Sequence, residues 1–107
     1  MVESSIIISI QNYLKALPTE GFHPSQAILF GSFACGKDHE WSDIDLVVIA
    51  PEFDQPRELS QIKSLWRARL SSDNRIEPIP CGEKEWQTDQ ARPILDIARQ
   101  EGVVITA

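Results

Sequence analysis

The sequence lacks a cluster of basic residues. It has ten Lys and Arg against sixteen Asp and Glu, a net charge of −6, and no two of its basic residues are adjacent. Binding along a nucleic-acid backbone normally needs a clustered basic face. We therefore expect no long DNA or RNA partner, whereas a single nucleotide accompanied by metal ions is compatible with this charge.

Cysteines and long apolar runs are also scarce. Cys35 and Cys81 are isolated and lack the spacing of metal ligands, so both are predicted to be free thiols in a reducing compartment. The first residues, "MVESSIIISIQNYLKAL", place an acid near the start and only a few apolar residues in a row. This pattern predicts neither a signal peptide nor a membrane span, and favours a cytoplasmic protein.

The remaining composition is typical of a folded globular chain. Five glycines and seven prolines are spread without repeats or low-complexity tracts, so residues 1–107 are predicted to form a single domain. A second, substrate-holding domain does not fit within this length.

The predicted elements follow the order helix, strand, strand, helix, strand, helix. The first helix should end before Pro18, the first two strands should cover residues 27–30 and 43–50, and the last helix residues 93–101, with a small final strand in "VVIT". The third strand, "RIEPIP", contains two prolines and is predicted to lie at a sheet edge or to leave the sheet early. The middle helix has one apolar stripe, comprising Leu59, Ile62, Leu65, Trp66 and Leu70. The pattern predicts an α/β or α+β fold, a small mixed sheet with helices covering one side.

Two aspartates occupy an otherwise apolar strand. Asp43 and Asp45 lie two residues apart in "SDIDLVVI", so their side chains should project from one face, with α-carbons about 6.6–7 Å apart. Two uncompensated carboxylates this close repel each other, and a divalent cation between them removes that cost. Oxygen ligands of this kind suit Mg²⁺ or Mn²⁺ and leave positions for substrate phosphates. The alternative without a metal site is a solvent-exposed strand end in which Asp43 caps a turn.

A phosphate site and a third carboxylate complete the predicted centre. Gly31 and Ser32 follow the first strand, where glycine lets a phosphate approach the backbone and the Ser32 hydroxyl can bind anionic oxygens. Glu77 is the acid of the third strand, and two metal ions among these carboxylates would support in-line displacement at phosphorus. The alternatives are an ordinary turn at Gly31 and an exposed Glu77 paired with Arg75.

These residues resemble a known family. Gly31-Ser32, ten intervening residues, then Asp43-Ile44-Asp45 and "LVVI", with Glu77 on the next strand, is similar to the minimal nucleotidyltransferase (MNT) branch of the DNA polymerase β-like superfamily. The resemblance covers nearly the whole chain. It implies transfer of a nucleoside monophosphate from a triphosphate, with ATP as substrate, to a hydroxyl, with release of pyrophosphate.

The resemblance also implies roles for individual residues. Gly31 and Ser32 would hold the triphosphate, Asp43 and Asp45 would bind both Mg²⁺ ions, and Glu77 would bind the ion nearer the acceptor. Relatives often have basic residues after Gly-Ser, where this chain has Phe33 and Cys35, so Lys37 is expected to contact the triphosphate instead. Trp41, two residues before Asp43, is a candidate for contact with the base.

The acceptor implied by the resemblance is a protein. Small members of this type are commonly antitoxins of toxin–antitoxin modules that adenylylate a tyrosine of an all-helical HEPN ribonuclease toxin, with which this chain would form a hetero-oligomer. Two alternatives stay open. One is a non-catalytic antitoxin or interaction module that neutralises its partner by binding, and the other is a transferase acting on a small molecule such as an aminoglycoside.

Overall fold

The computed structural model describes residues 2–39, 42–88 and 92–107. Its strands are β1 (Gln26–Phe30), β2 (Ile44–Ile49), β3 (Ile76–Cys81) and β4 (Val103–Ile105). Its α-helices are α1 (Ser4–Ala16), α2 (Ser32–Cys35), α3 (Leu59–Arg67), α4 (Glu83–Thr88) and α5 (Pro93–Glu101). Turns of 3₁₀-helix follow α1, β2 and α3, at Leu17–Glu20, Pro51–Asp54 and Ala68–Ser71.

The four strands form one mixed sheet in the order β3-β2-β1-β4. β1 runs antiparallel to both β2 and β4, whereas β2 and β3 are parallel and are connected through α3. The predicted edge position of the proline-containing strand β3 is confirmed. The mixed sheet packed with helices confirms the predicted fold class.

Helices cover both faces of the sheet, so the prediction that they cover one side was wrong. On one face, the core joins α1 and α3 to Leu29, Leu46 and Val48. On the other face, Leu95 and Ala98 of α5 pack with a second set, Ile28, Phe30, Val47 and Ile49. The cause is visible in β2, where residues 46–49 are all buried and therefore need an apolar cover on each side.

Helix α3 is covered less than its sequence predicts. Within it only Leu65 is buried, whereas Leu59, Trp66 and the following Leu70 are exposed. The helix begins at a capping box, in which the Glu58 N–H donates to the Gln61 side chain at 3.0 Å. Of the predicted apolar stripe, Leu65 therefore faces the core, whereas Leu59, Trp66 and Leu70 face solvent.

A buried hydrogen bond ties α1 to α3. The Tyr13 hydroxyl donates to the carbonyl oxygen of Leu65 at 2.6 Å, and its ring is fully buried. We expect Tyr13→Phe to lower the free energy of unfolding by about 1 kcal/mol, since it removes this bond but keeps the ring packing. Urea unfolding measures the change; an unchanged midpoint would show that the bond contributes nothing. Thr19→Val, which removes an exposed hydroxyl bonded to Ala16, is the control.

Two further predictions concern the thiols and the membrane. Cys35 and Cys81 are both free, as predicted, and Cys35 is exposed. Burial raises the pKa of the Cys81 thiol to about 12. Among the helices of the described segments, none is both long and apolar enough to cross a membrane.

Candidate active site

The turn after β1 brings backbone and carboxylate groups together. Gly31 has a φ of +78°, which favours glycine, and its carbonyl oxygen accepts the N–H groups of Ala34 and Cys35 at 3.1 Å each, starting α2. The chain thus reverses direction directly after a buried strand. The short helix α2 starts at Ser32, directly after this turn.

The carboxylate of Asp45 lies against Gly31. A Cβ atom on residue 31 would come within 2.3 Å of the Asp45 Oδ2 atom, so a side chain fits there only if the Asp45 carboxylate moves. The pairing of Phe30 with Asp45 in the β1–β2 ladder sets this closeness. Gly31 and the Asp45 carboxylate therefore lie side by side at the end of β1.

Glu77 reaches the same place from β3. Parallel pairing puts Asp45 directly opposite Glu77, and alternation places both side chains on the face covered by α5. Asp43 precedes β2, which begins at Ile44 rather than at the predicted Asp43, and its side chain is exposed. Glu77 is close enough to both aspartates for them to raise the pKa of its carboxyl group.

Burial and crowding raise the pKa values of two carboxyl groups at this site, those of Asp45 and Glu77. The pKa of Asp45 is raised, first by burial and then by the charge of Asp43. A hydrogen bond from Glu77 acts in the opposite direction but is the smaller effect. The pKa of Glu77 is also raised, first by burial and then by Asp43 and Asp45. Asp45 and Glu77 are thus harder to ionise than ordinary carboxyl groups, because burial disfavours their charged forms and neighbouring carboxylates add repulsion. A cation among them would relieve this repulsion.

The donor set suits a hard divalent ion. Asp43, Asp45 and Glu77 offer only oxygen atoms, which Mg²⁺ and Mn²⁺ prefer. Across residues 2–39, 42–88 and 92–107, no three His, Cys, Asp or Glu side chains lie close enough to enclose a metal on their own. The residues fit an ion that completes its shell with water and substrate phosphate, and do not form a closed structural metal site.

The alternative interpretation of Glu77 as the ion-pair partner of Arg75 is not supported. The Arg75 guanidinium instead binds Asp73 at both carboxylate oxygens, with Nε–Oδ1 at 3.0 Å and Nη2–Oδ2 at 2.7 Å. It also lies over the Phe33 ring, 5.5 Å from the centroid. Glu77 therefore faces the two aspartates without this arginine as its counter-ion.

Lys37 does not join the carboxylates. It follows α2, its backbone N–H donates to the Ser32 carbonyl oxygen at 2.9 Å, and its side chain is exposed. In the described part of the chain that side chain makes no hydrogen bond or ion pair. Trp41, the candidate for contact with the base, lies outside the described residues.

One residue at this site was missed by sequence reasoning. The Gly31 N–H donates to Oε1 of Glu101, the last residue of α5, at 3.2 Å. An acid in the last turn of a helix lies at the negative end of the helix dipole, which is normally unfavourable. The unfavourable position of this acid is the sequence feature that could have indicated a role for Glu101.

Comparisons with known proteins identify the fold and the family of this chain. A crystal structure from Sulfolobus solfataricus, described as that of a candidate nucleotidyltransferase, superposes with a TM-score of 0.57 at 16% identity, covering 97% of this chain and 87% of that one. A search of curated proteins gives no match. A family model described as "Nucleotidyltransferase domain" matches residues 9–95, which include the Gly31 turn and all three carboxylates. The chain therefore belongs to the nucleotidyltransferase domain family.

Proposed function

We propose that the protein is a metal-dependent nucleotidyltransferase that moves AMP from ATP to a hydroxyl group of a protein. The observation that supports this best is the placement of Asp45 between Gly31 and Glu77, which brings the glycine turn and the crowded carboxylates together. When bound, two Mg²⁺ ions would neutralise the triphosphate and the charge that develops during transfer.

The roles of the residues follow from their positions. Asp43 and Asp45 would hold both ions, Glu77 the one nearer the acceptor, and Gly31, Ser32 and Lys37 would contact the triphosphate. The acceptor oxygen forms a bond to the α-phosphorus while the bond to the bridging oxygen of the β-phosphate breaks, releasing pyrophosphate. Glu77, opposite Asp45 on the neighbouring strand, is the carboxylate we assign to take the hydroxyl proton.

We propose that the acceptor is a tyrosine of an all-helical HEPN ribonuclease toxin and that this chain is its cytoplasmic antitoxin. The described residues form one sheet and the helices that pack on it. The surface that holds the acceptor therefore has to come from another molecule or another part of the protein. Exposed Leu59 and Leu70 favour a second candidate, an antitoxin that neutralises its partner by binding alone.

The test is the intact mass of a co-expressed HEPN partner after incubation with this protein, ATP and Mg²⁺. We expect the partner to gain one or more AMP units, and EDTA to abolish the gain. An unchanged partner mass, in a complex that still forms, would reject transfer to this acceptor and favour neutralisation by binding.

The contact between Glu101 and Gly31 gives a separate prediction. If Gly31 holds the triphosphate, the Glu101 carboxylate competes with phosphate for its N–H and repels it. We expect Glu101→Gln to lower the KM for ATP several-fold without changing kcat, as measured in steady-state transfer assays. Glu83→Gln on α4 is the matched control. A raised KM would show that Glu101 instead holds the turn in its binding conformation.

A further inference from the structure

The two edges of the sheet differ in how open they are to a further strand. The outer edge of β3 is blocked, because Pro78 and Pro80 have no N–H group to donate. The carbonyl oxygen of Ile76 accepts a hydrogen bond from Arg69 Nη1 at 3.3 Å. That of Pro80 accepts one from Arg92 Nη1 at 3.2 Å. The other edge strand, β4, consists of three branched apolar residues and has none of the prolines or charges with which natural sheets prevent strand addition.

The hydrogen bonds of the sheet leave the backbone groups of Val104 directed outward. The N–H of Ile44 donates to the Arg75 carbonyl oxygen beside β3 at 2.9 Å, so even-numbered residues of β2 face β3 and odd-numbered ones face β1. Val47 therefore bonds to its partner Ile28, which in turn faces β2 and not β4. Val104, opposite Ile28, is left with its N–H and carbonyl oxygen pointing away from the sheet. Within the described segments nothing bonds to these two groups.

Exposed apolar side chains flank β4 on both faces of the sheet. Val104 is 58% exposed on the face covered by α5, and Val103 is exposed on the face covered by α1, as the core positions of their partners in β1 show. On the α1 face, Ile8 is 55% exposed and lies one turn before Gln11. Gln11 Nε2 donates at 3.2 Å to the carbonyl oxygen of Thr106, the residue after β4, so this side of α1 lies along the edge.

Helix α5 adds Ile94 and Ile97 on the side nearer β4. Both are exposed, and they precede Glu101 by seven and four residues, so they share its side of the helix. Glu101 contacts the Gly31 N–H at the end of β1, the strand beside β4. These residues hold five of the eight large apolar side chains that are exposed in the described chain, so exposed apolar surface is concentrated at this edge. We call them the edge patch, comprising Ile8, Ile94, Ile97, Val103 and Val104.

The edge patch matches a second copy of itself. In antiparallel pairing about a two-fold axis at Val104, the N–H of each Val104 donates to the carbonyl oxygen of the other, which satisfies both outward groups. No charged side chain of β4 meets its own copy at this axis. Lys15, one turn beyond Gln11, and Glu101 lie toward opposite ends of β4. Antiparallel pairing therefore brings charges of opposite sign to each end of the contact.

We propose that two copies of the chain pair through β4 and form one continuous eight-stranded sheet. The exposed side chains of the edge patch are then covered by the same elements of the second copy, α1 on one face and α5 on the other. Strand β3, which carries Glu77, stays at the outer edge of each half. The pairing needs neither nucleotide nor metal, so it is independent of the proposed function.

Sedimentation velocity of the full chain tests the pairing. We expect the mass of two chains, and we expect Val104→Lys to weaken association more than about tenfold, because like charges would meet across the axis. Leu59→Lys places the same charge at an exposed leucine of α3 and is the matched control, which should associate as the wild type does. A wild-type chain that sediments as a monomer across the concentrations at which it is soluble would overturn the proposal. So would a dimer that Val104→Lys leaves intact or that Leu59→Lys disrupts.

A cross-link tests the register of the pairing and does not depend on the folding of the lysine variant. The background is Cys35→Ser, which leaves the buried Cys81 as the remaining native thiol. In it, Val104→Cys should give a disulfide-linked dimer on mild oxidation, because the α-carbons of a bonded antiparallel pair lie about 5.5 Å apart, within the range of a disulfide. Leu59→Cys in the same background should remain a single chain on a denaturing gel. Absence of the Val104→Cys cross-link, or equal cross-linking of both variants, would reject pairing through β4.

Discussion

Asp45→Asn is expected to lower nucleotide transfer about a thousandfold while making the protein more stable. Activity falls because the amide cannot supply the charge that holds a divalent ion. Stability rises because Asp45 is one of three crowded carboxyl groups, and its raised pKa shows that its ionised form is disfavoured in the folded chain. Single-turnover transfer and thermal unfolding without divalent ions measure the two effects.

Asp38→Asn is the matched control for this variant. It removes the same charge from an exposed residue before β2, and among the described residues Asp38 is not one of the groups that shift the pKa of Asp45 or Glu77. We expect nearly normal transfer and an unchanged Tm. If Asp45→Asn lowered both activity and Tm, the carboxylate would be a structural group, and a catalytic role would lose its main support.

The same crowding predicts a dependence of stability on pH. The ordinary pKa values are 3.8 for Asp45 and 4.5 for Glu77, and both are raised in the folded chain. The folded state therefore binds these protons more tightly than the unfolded state. The resulting stabilisation is fully present below the ordinary values and is lost as pH rises through the raised ones.

Ion pairs elsewhere in the protein make stability depend on pH in the opposite direction. Arg75, for example, holds the pKa of Asp73 below its ordinary value, so that pair stabilises the fold above the ordinary pKa. Comparing wild type with Asp45→Asn in urea unfolding from pH 4 to 8 separates the two contributions. We expect the gain from Asp45→Asn to grow with pH and to shrink when Mg²⁺ is added; a gain independent of pH would contradict the crowding.

Gly31→Ala should lower transfer activity more than the matched substitution Gly36→Ala. Gly31 and Gly36 both have positive φ, +78° and +70°, so alanine at either position costs about 1–2 kcal/mol in backbone strain. Only at Gly31 would the new Cβ also meet Asp45, 2.3 Å from Oδ2, whereas nothing lies within 4 Å at Gly36. Displacement of Asp45 should abolish most transfer activity.

The comparison with Gly36→Ala isolates the contact from the strain. We expect Gly36→Ala to lose stability in urea unfolding but to keep most of its transfer rate, and Gly31→Ala to lose both. Equal transfer rates for the two variants would mean that the closeness of Gly31 and Asp45 has no role in activity.

Local sequence was enough to predict the site strands, because their signals are strong and short-range. β2 is a run of branched apolar residues bounded by Asp43 and Pro51, and Gly31 stops β1 where a turn must begin. The structure brings Asp45 and Glu77 together as adjacent carboxylates, which alternation along each strand could suggest. Their assignment as metal ligands stays a prediction.

Other features depended on packing that periodicity does not encode. The apolar spacing of α3 is the same whether a residue faces the core, as Leu65 does, or solvent, as Leu59 does. The cover of the sheet by α5 required knowledge of which face the last helix reaches. Glu101 is distant in sequence from Gly31, and only the three-dimensional fold brings them within 3.2 Å.

The parallel pairing of β2 with β3 has a consequence for the order of folding. β1 and β2 form an antiparallel pair that is close in sequence, so Gly31 and Asp45 can meet early. Glu77 meets Asp45 only after the chain has crossed through α3, which requires closing a longer loop. Repulsion that involves Glu77 is therefore absent from the first hairpin and arises when β3 docks, so divalent cations should favour that late step of folding.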